Sequence, residues 1–312
     1  MSYVHIPVLL HESIEALGIK PGGTYVDLTL GRGGHSRAIL EKLGGSGKLF
    51  CFDQDDQAIK EGGQNLQGLG NFEIVHSNFA HFAEELKARG VSQVDGILAD
   101  LGVSSPQFDD PERGFSYRVD ARLDMRMDRS ASLTAEEVVN TYPLEKLAKV
   151  IADYGEDRDA YQIAKMIVRH REQAPIRTTF ELVECIKAAK SPKALRQKGH
   201  PAKQTFQAIR IEVNREKQSL EEMLEAFPEM LAPGGRIAII TFMSLDDRIV
   251  KRKFASLTTV EGSRDDIPML PSEVGDAPFE KLTRKPILPS AAELENNRRA
   301  ASAKLRAIRK KT

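Results

Sequence analysis

The stretch Thr24-Tyr-Val-Asp-Leu-Thr-Leu-Gly-Arg-Gly-Gly-His-Ser36 sets narrow limits on what this chain can fold into. Its first half is β-branched and apolar, as in a strand buried on both faces of a parallel sheet. Its second half places Gly31, Gly33 and Gly34 within four residues, then opens a helical pattern through Ala38, Ile39, Leu40 and Leu43. A strand that passes through a glycine turn into a helix is where an α/β sheet receives a nucleotide-like ligand. Glycines let the backbone come close, and free amides at the helix start point at the ligand.

The neighbouring acids narrow the ligand. A dinucleotide fingerprint laid from Gly31 puts Ser36 where its third glycine belongs. An anionic Asp27 near the loop repels a pyrophosphate and favours a cationic ligand. The pattern Asp27-x-x-x-Gly31-x-Gly33-Gly34 resembles the first motif of S-adenosylmethionine (SAM)-dependent methyltransferases. Lys48-Leu-Phe-Cys-Phe-Asp53 then reads as a second strand, ending in an acid 22 residues after Gly31. A carboxylate there can accept hydrogen bonds from two ribose hydroxyls. A glycine pair by itself also serves ordinary turns; Asp27 and Asp53 together favour a nucleoside-cofactor site.

At 312 residues, the chain has room for one large domain or two modest ones. Its 45 basic and 45 acidic residues cancel, so a nucleic-acid site has to be a local patch. Cys51 and Cys185 form neither a disulfide framework nor a metal spacing, and the seven histidines are scattered. The expectation is a reducing cytosol and no structural metal. No secretory pattern precedes His5-Ile-Pro-Val-Leu-Leu, and no apolar run approaches a membrane span. A cytoplasmic, soluble protein is expected.

In chain order, a helix through Ile14, Leu17 and Ile19 is stopped by Lys20-Pro-Gly-Gly23. After Asp53 the pattern predicts a helix over 55–66, a strand over 72–76, a helix over 78–88 and a strand over 94–100. This alternation implies an α/β fold with a doubly wound, Rossmann-like parallel sheet. It stops after Ser105-Pro106. Helices are predicted over 134–140, 144–153, 160–171 and 179–189, then one long helix from Phe206 to about Leu231 and a fifth strand over 236–242. The expected architecture is a discontinuous sheet domain, 1–107 and 206–312, with a helical insertion, 108–205, between strands four and five. Residues 282–287 read as a last strand. The basic tail from Arg298 to Lys311 reads as a phosphate-contacting segment or a solvated helix.

Strand ends on one edge of a parallel sheet converge, so Asp27, Asp53 and Asp100 should face one crevice. Beside them, Phe79 can lie against an adenine face and Asn78 can read its edge; equally, Phe79 can simply pack onto its helix. The loop Asp100-Leu-Gly-Val-Ser-Ser-Pro-Gln107 stands where base-modifying methyltransferases hold the reacting group. An exocyclic amine conjugated to a ring is a poor nucleophile and needs a hydrogen-bond acceptor that holds it in line. Asp100, Ser104 and Ser105 are the candidate acceptors, with Pro106 stiffening the loop. A plain strand-ending turn is the alternative.

Longer blocks carry a wider resemblance. Asp100-Leu-Gly-Val-Ser-Ser-Pro-Gln-Phe-Asp-Asp110, Glu112-Arg-Gly-Phe-Ser-Tyr117 and Leu123-Asp-Met-Arg-Met-Asp128 are among them. So are Gly199-His-Pro-Ala202, Thr205-Phe-Gln-Ala-Ile-Arg-Ile211 and Phe242-Met-Ser-Leu-Asp-Asp-Arg248. Over nearly its whole length the chain resembles the ribosomal RNA small subunit methyltransferase H (RsmH/MraW) family. That resemblance implies a class I SAM-methyltransferase fold and SAM as cofactor. It further implies methylation of the N4 of a cytidine in the decoding region of 16S rRNA, within the small ribosomal subunit. It assigns cofactor contacts to Gly33, Gly34, His35, Asp53, Phe79, Asp100 and Gln107; His35 and Gln107 follow from the resemblance alone. The chain departs from the family at Met243, where His is usual, and at Asp246, where Glu is usual. Met243 cannot exchange a proton. A homodimer is left open.

Between Lys187 and Lys217 stand nine Lys or Arg against two Glu. A charge run is usually a solvated face, but this one includes Gly199-His-Pro and reads as a phosphate-contacting surface. Lys198, His200, Lys203 and Arg210 are its candidates, together with Arg113. Arg113, Phe115 and Tyr117 can stack on and pair with unstacked nucleotides, or pack internally. Direct methyl transfer is expected, since neither cysteine is placed to attack a base. Two rival readings are a nicotinamide-dependent oxidoreductase, disfavoured by Ser36 and Asp27, and a non-catalytic RNA-binding or assembly factor, given weight by Met243.

Overall fold

The structure, a computed structural model, describes residues 6–102, 110–259 and 276–312. It divides into two compact units: Met1–Gly102 with Gln218–Thr312, and Val103–Lys217. The first unit is built on strands β1 (Thr24–Asp27), β2 (Lys48–Asp53), β3 (Phe72–His76), β4 (Val94–Asp100), β5 (Leu231–Thr241), β6 (Phe279–Lys281) and β7 (Lys304–Lys310). They form one sheet in the order β3-β2-β1-β4-β5-β7-β6, parallel from β3 to β5, with β7 antiparallel to both neighbours. Helix α1 (Leu10–Leu17) precedes β1, and α2 (Gly34–Leu43), α3 (Asp56–Leu66) and α4 (Phe82–Ala88) connect the first four strands.

The central strands are apolar because both their faces are covered. Val26, Phe50, Phe52, Ile97 and Ile239 join one core with Leu224 and Phe227. Tyr25, Leu49, Cys51, Leu98 and Ile240 join the other with Leu17, Ile39, Leu40 and Leu66. Alternate residues along each strand thus feed opposite layers.

The tail differs from expectation. Residues 304–310 are the strand β7, neither a solvated helix nor a phosphate-contacting arm. Leu305, Ala307 and Ile308 are buried, and the intervening cations find protein partners. Lys304 and Arg306 reach Asp247, Arg309 pairs with Glu280, and Lys310 Nζ donates to the carbonyls of Pro228 and Leu231. Residues 282–287, read as the last strand, contribute one bridge, Ile287 to Leu305; the strand itself lies just before them.

The second unit is helical among its described residues: α5 (Ala135–Thr141), α6 (Leu144–Gly155), α7 (Ala160–Arg171), α8 (Thr179–Ala189), α9 (Pro192–Leu195) and α10 (Lys203–Val213). Thr134 with Glu137 and Thr178 with Glu181 form reciprocal N-terminal caps, which fix where α5 and α8 begin. Leu147, Ile151, Ile163, Ile167, Leu182, Ile186, Phe206 and Ile209 share its core. Because Phe206 and Ile209 belong to this core, the unit runs on through Lys217 rather than closing near 205.

The long helix expected from Phe206 is interrupted. Helix α10 ends at Val213 and α11 (Glu216–Met230) begins after Arg215, which holds a left-handed φ of 51°. Asn214 makes the break. Its Oδ1 accepts from the Met127 amide at 2.7 Å, and its Nδ2 donates to the carbonyls of Met125 at 2.8 Å and Arg210 at 2.9 Å. The Leu123–Asp128 segment is folded round Arg126, whose guanidinium grips Asp124 and the carbonyls of Arg129 and Ala131. Asn214→Ala removes three bonds to partly buried backbone groups and should destabilise the protein by about 2–3 kcal/mol. Urea denaturation read by circular dichroism checks this, with Asn214→Asp, which keeps the acceptor alone, falling between the two.

Candidate functional site

Sheet register places the acids. Asp27 pairs with Cys51 of β2 and with Leu98 of β4. Asp53 and Asp100 therefore stand two residues further toward the C-terminal edge, on the same face by the period of the pleat. They flank the turn that follows β1 at the level of Thr29. The Asp100 amide donates to Thr29 Oγ1 at 2.7 Å, and the Leu30 amide donates to the Phe52 carbonyl at 2.8 Å.

Asp27 does not face a ligand. It is 1% exposed, its Oδ2 accepts from Ser36 Oγ at 2.6 Å, and its Oδ1 accepts from the Thr29 amide at 3.0 Å. The expectation that it faces the crevice with Asp53 and Asp100 gives way to a buried, structural role. It ties the first turn of α2 to the end of β1, and Ser36, standing where a dinucleotide turn has glycine, is the donor it needs. Between them the chain turns at Gly33 with φ 79°, a conformation that only glycine adopts without strain.

Asp53 reaches across to this turn. Its Oδ2 accepts from the Gly31 amide at 2.9 Å and its Oδ1 from the Asp55 amide at 3.0 Å. The Gln54 amide is a third donor at this carboxylate, and the acceptor capacity that remains is what a diol hydroxyl requires. Burial raises the Asp53 carboxyl to about 6, against the pull of those amides.

Asp100 is the other rim acid. Its Oδ1 is buried with no hydrogen-bond partner among the described residues. Its Oδ2 lies 3.9 Å from His35 Nδ1. Burial raises this carboxyl to about 6 as well; His35 opposes the shift and Asp27 adds to it. A buried acceptor without a donor is costly, which makes Oδ1 the point in this unit most in need of a ligand.

The remaining expected residues divide. Phe79 begins a single 3-10 turn and packs half-buried on the sheet core. Asn78 caps that turn through Oδ1, and its Nδ2 donates to Gln54 Oε1 at 2.7 Å. Met243 precedes α12 (Ser244–Thr258) in extended conformation, and Asp246 in the first turn is buried. Ser104, Ser105 and Gln107 lie outside the described residues. Cys51 is fully buried, and burial pushes its thiol well above the ordinary range.

In the helical unit, Lys198 and Lys203 are exposed. Arg113 and Arg210 are not, contrary to expectation. Arg113 is 3% exposed and its guanidinium donates to the carbonyls of Arg126 and Met127; Arg210 is 9% exposed and bidentate on Glu216. Both hold their unit together instead of facing a phosphate. His200 stacks on Tyr117 with ring centroids 4.4 Å apart at 16°, and Arg118 lies over the same Tyr117 ring. Burial, with Lys187 and Arg118 nearby, holds His200 below its usual value. Sequence reasoning missed this stack; the only signal for it was the aromatic content of 115–117.

A family model described as the MraW methylase family matches residues 2–311. The chain is 52% identical over 309 residues to the ribosomal RNA small subunit methyltransferase H of Streptococcus pyogenes serotype M4 (strain MGAS10750), covering 98% of this chain and 97% of that one. Among solved structures, an rRNA methylase from Streptococcus thermophilus aligns at 12% identity with a TM-score of 0.44, covering 99% of this chain and 100% of that one. A SAM-dependent O-methyltransferase from Thermotoga maritima aligns at 12% identity with a TM-score of 0.42, covering 100% and 69%.

The raised carboxyl of Asp100 fixes the sign of a stability effect. Between the ordinary aspartate value and about 6, the unfolded chain releases this proton while the folded chain keeps it. Its contribution is therefore full below pH 4 and lost as pH rises through 6. Asp100→Asn, which cannot ionise, should melt higher than the wild type at pH 7 by up to about 3 kcal/mol equivalent, and most of the difference should be gone near pH 4. Scanning calorimetry at the two pH values reads it.

Proposed function

The chain belongs to the MraW methylase family, and on that premise we propose that it transfers a methyl group from SAM to the exocyclic N4 amine of a cytidine in the decoding region of 16S rRNA. One observation carries the reading: the unpartnered, buried Oδ1 of Asp100, at the strand edge beside the glycine turn and opposite Asp53. The donor set fits a cationic nucleoside. Gly33 and Gly34 let the backbone approach it, Asp53 has lone pairs for its ribose hydroxyls, and Phe79 offers an apolar face.

When bound, SAM supplies an electrophilic methyl group on a sulfonium. The protein's part is to bring an amine to it. In this reading Asp100 Oδ1 accepts an N–H of the target base and turns the nitrogen toward the methyl group. Ser104 and Ser105 keep the role of further acceptors, and Gln107 that of a cofactor contact. The base has to be unstacked to reach the crevice. The methylated amine is acidic enough to lose its proton after transfer, so no strong base is required. Transfer is direct, since burial raises both thiols, Cys185 to about 11, and leaves no thiolate to attack the ring.

Lys198 and Lys203 are the phosphate contacts of this reading, and the Tyr117–His200 stack is a flat apolar surface for an unstacked base. The partner is 16S rRNA within the small ribosomal subunit, and the working compartment is the cytoplasm. Among the described residues no helix is long and apolar enough to cross a membrane.

The wild-type protein should move labelled methyl from SAM onto small-subunit particles, and nucleoside mass spectrometry should identify N4-methylcytidine. Asp100→Ala should lower the rate at least about 100-fold. A particle that acquires no label, or acquires it on another nucleoside, refutes the assignment. In a separate filter-binding titration, Lys198→Glu with Lys203→Glu should weaken RNA binding about tenfold at 0.1 M salt and flatten the salt dependence by about two charges, with cofactor affinity unchanged.

A further inference from the structure

His35 occupies the second position of α2, and its ring is 5% exposed. Nε2 lies 3.0 Å from the carbonyl oxygen of Val8. A carbonyl can only accept, so Nε2 carries a proton. In the neutral ring, Nδ1 is then a bare lone pair, and it faces Asp100 Oδ2 at 3.9 Å. Two acceptors facing each other repel. One proton held by either of them converts that repulsion into attraction, and a small approach of the two side chains from 3.9 Å brings them to hydrogen-bond distance.

The chain is built to keep this tautomer. Pro7 fills the space above Gly34, where a Cβ would come within 2.2 Å of its ring. Leu9 holds a left-handed φ of 50°, strained for a branched residue, immediately after the carbonyl that receives His35. The Leu9 amide donates to Glu293 Oε1 at 2.8 Å, which anchors the strap from the other side.

We propose that His35 and Asp100 hold a single proton between Nδ1 and Oδ2, so that Asp100 Oδ1 stays an acceptor in either ionisation of the pair. If the proton sits on nitrogen, Oδ1 belongs to a carboxylate. If it sits on Oδ2, Oδ1 is the carbonyl oxygen of a neutral acid. Without His35, a protonated Asp100 can carry its hydrogen on Oδ1, which turns the acceptor into a donor aimed at the amine. His35 is thus a positioning residue acting through Asp100. Among the described residues, the groups facing Asp100 are His35 from α2, Asp27 from β1 and the Gly102 amide that follows β4. Asp27 favours the protonated acid, so the hydrogen's place on Oδ2 matters at neutral pH. The consequence for catalysis rests on the methyl-transfer reading above; the shared proton does not.

Two conservative substitutions separate this role from packing. His35→Gln places an N–H near the old Nε2, within reach of Val8, and nothing at Nδ1. His35→Asn places one near Nδ1 and gives up Val8. In the full-length protein with 13C-labelled aspartate, the Asp100 carboxyl should titrate about one pH unit higher in His35→Gln and return most of the way in His35→Asn. In single-turnover methyl transfer at saturating SAM, the deficit of His35→Gln relative to the wild type should be at least tenfold larger at pH 6 than at pH 8.5, whatever its size at the higher pH. An unmoved carboxyl midpoint in His35→Gln overturns the proposal. So does a pH profile that Gln preserves and Asn does not, since that marks a packing role. A wild type that moves no methyl at any pH refutes the proposed function, and the carboxyl titration then decides the pair by itself.

Discussion

The hydrogen bond from Ser36 to Asp27 is the interaction on which the binding edge depends. A carboxylate with almost no exposure is tolerable only if its lone pairs are met, and here a hydroxyl and the Thr29 amide meet them. Both donors lie just beyond β1, one on each side of the glycine turn. Satisfying Asp27 therefore draws strand, turn and helix into one knot. With the turn held, the Gly31 amide is presented to Asp53, and the Asp100 amide rests on Thr29. The two rim acids are then fixed at one level of the sheet edge.

The same accounting separates these rim acids from other buried charges. Asp157 is also buried, but Lys190 meets both its oxygens at 2.8 and 3.0 Å. Asp100 has no lysine or arginine partner among the described residues; an imidazole 3.9 Å away and the Gly102 amide are what favour its charge. Its raised proton affinity comes first from burial and then from Asp27 nearby. A cationic nucleoside and an amine donor are the chemistry that would relieve both rim acids at once.

In the helical unit the division of labour among cations follows from their shapes. Arg113, Arg126 and Arg210 use planar forks to bind carbonyls and carboxylates inside the unit, where several donors in fixed geometry are needed. Lys198 and Lys203 keep their point charges in water. A count of basic residues along 187–217 cannot make that distinction, because it depends on which carbonyls lie within reach. Met125 and Met127, more than 80 residues before Asn214, supply partners that no local pattern announces.

By itself the sequence determined the first four parallel strands, the glycine turn and the acids at the strand ends. Burial on both faces demands continuous apolar runs, and a ligand edge demands glycine and acid at fixed spacing. It also determined most helices of the second unit, whose apolar faces and threonine caps are local signals. Only the tertiary structure decided the rest. Residues 304–310 alternate charge with apolar side chains and read as a solvated segment, yet they pair with β5 and β6 because Asp247, Glu280 and two carbonyls wait there for the cations. The break at Asn214, the burial of Arg113 and Arg210, and the turning of Asp27 inward have the same origin. Each depends on a hydrogen-bond partner distant in sequence, and such partners exist only once the chain has folded.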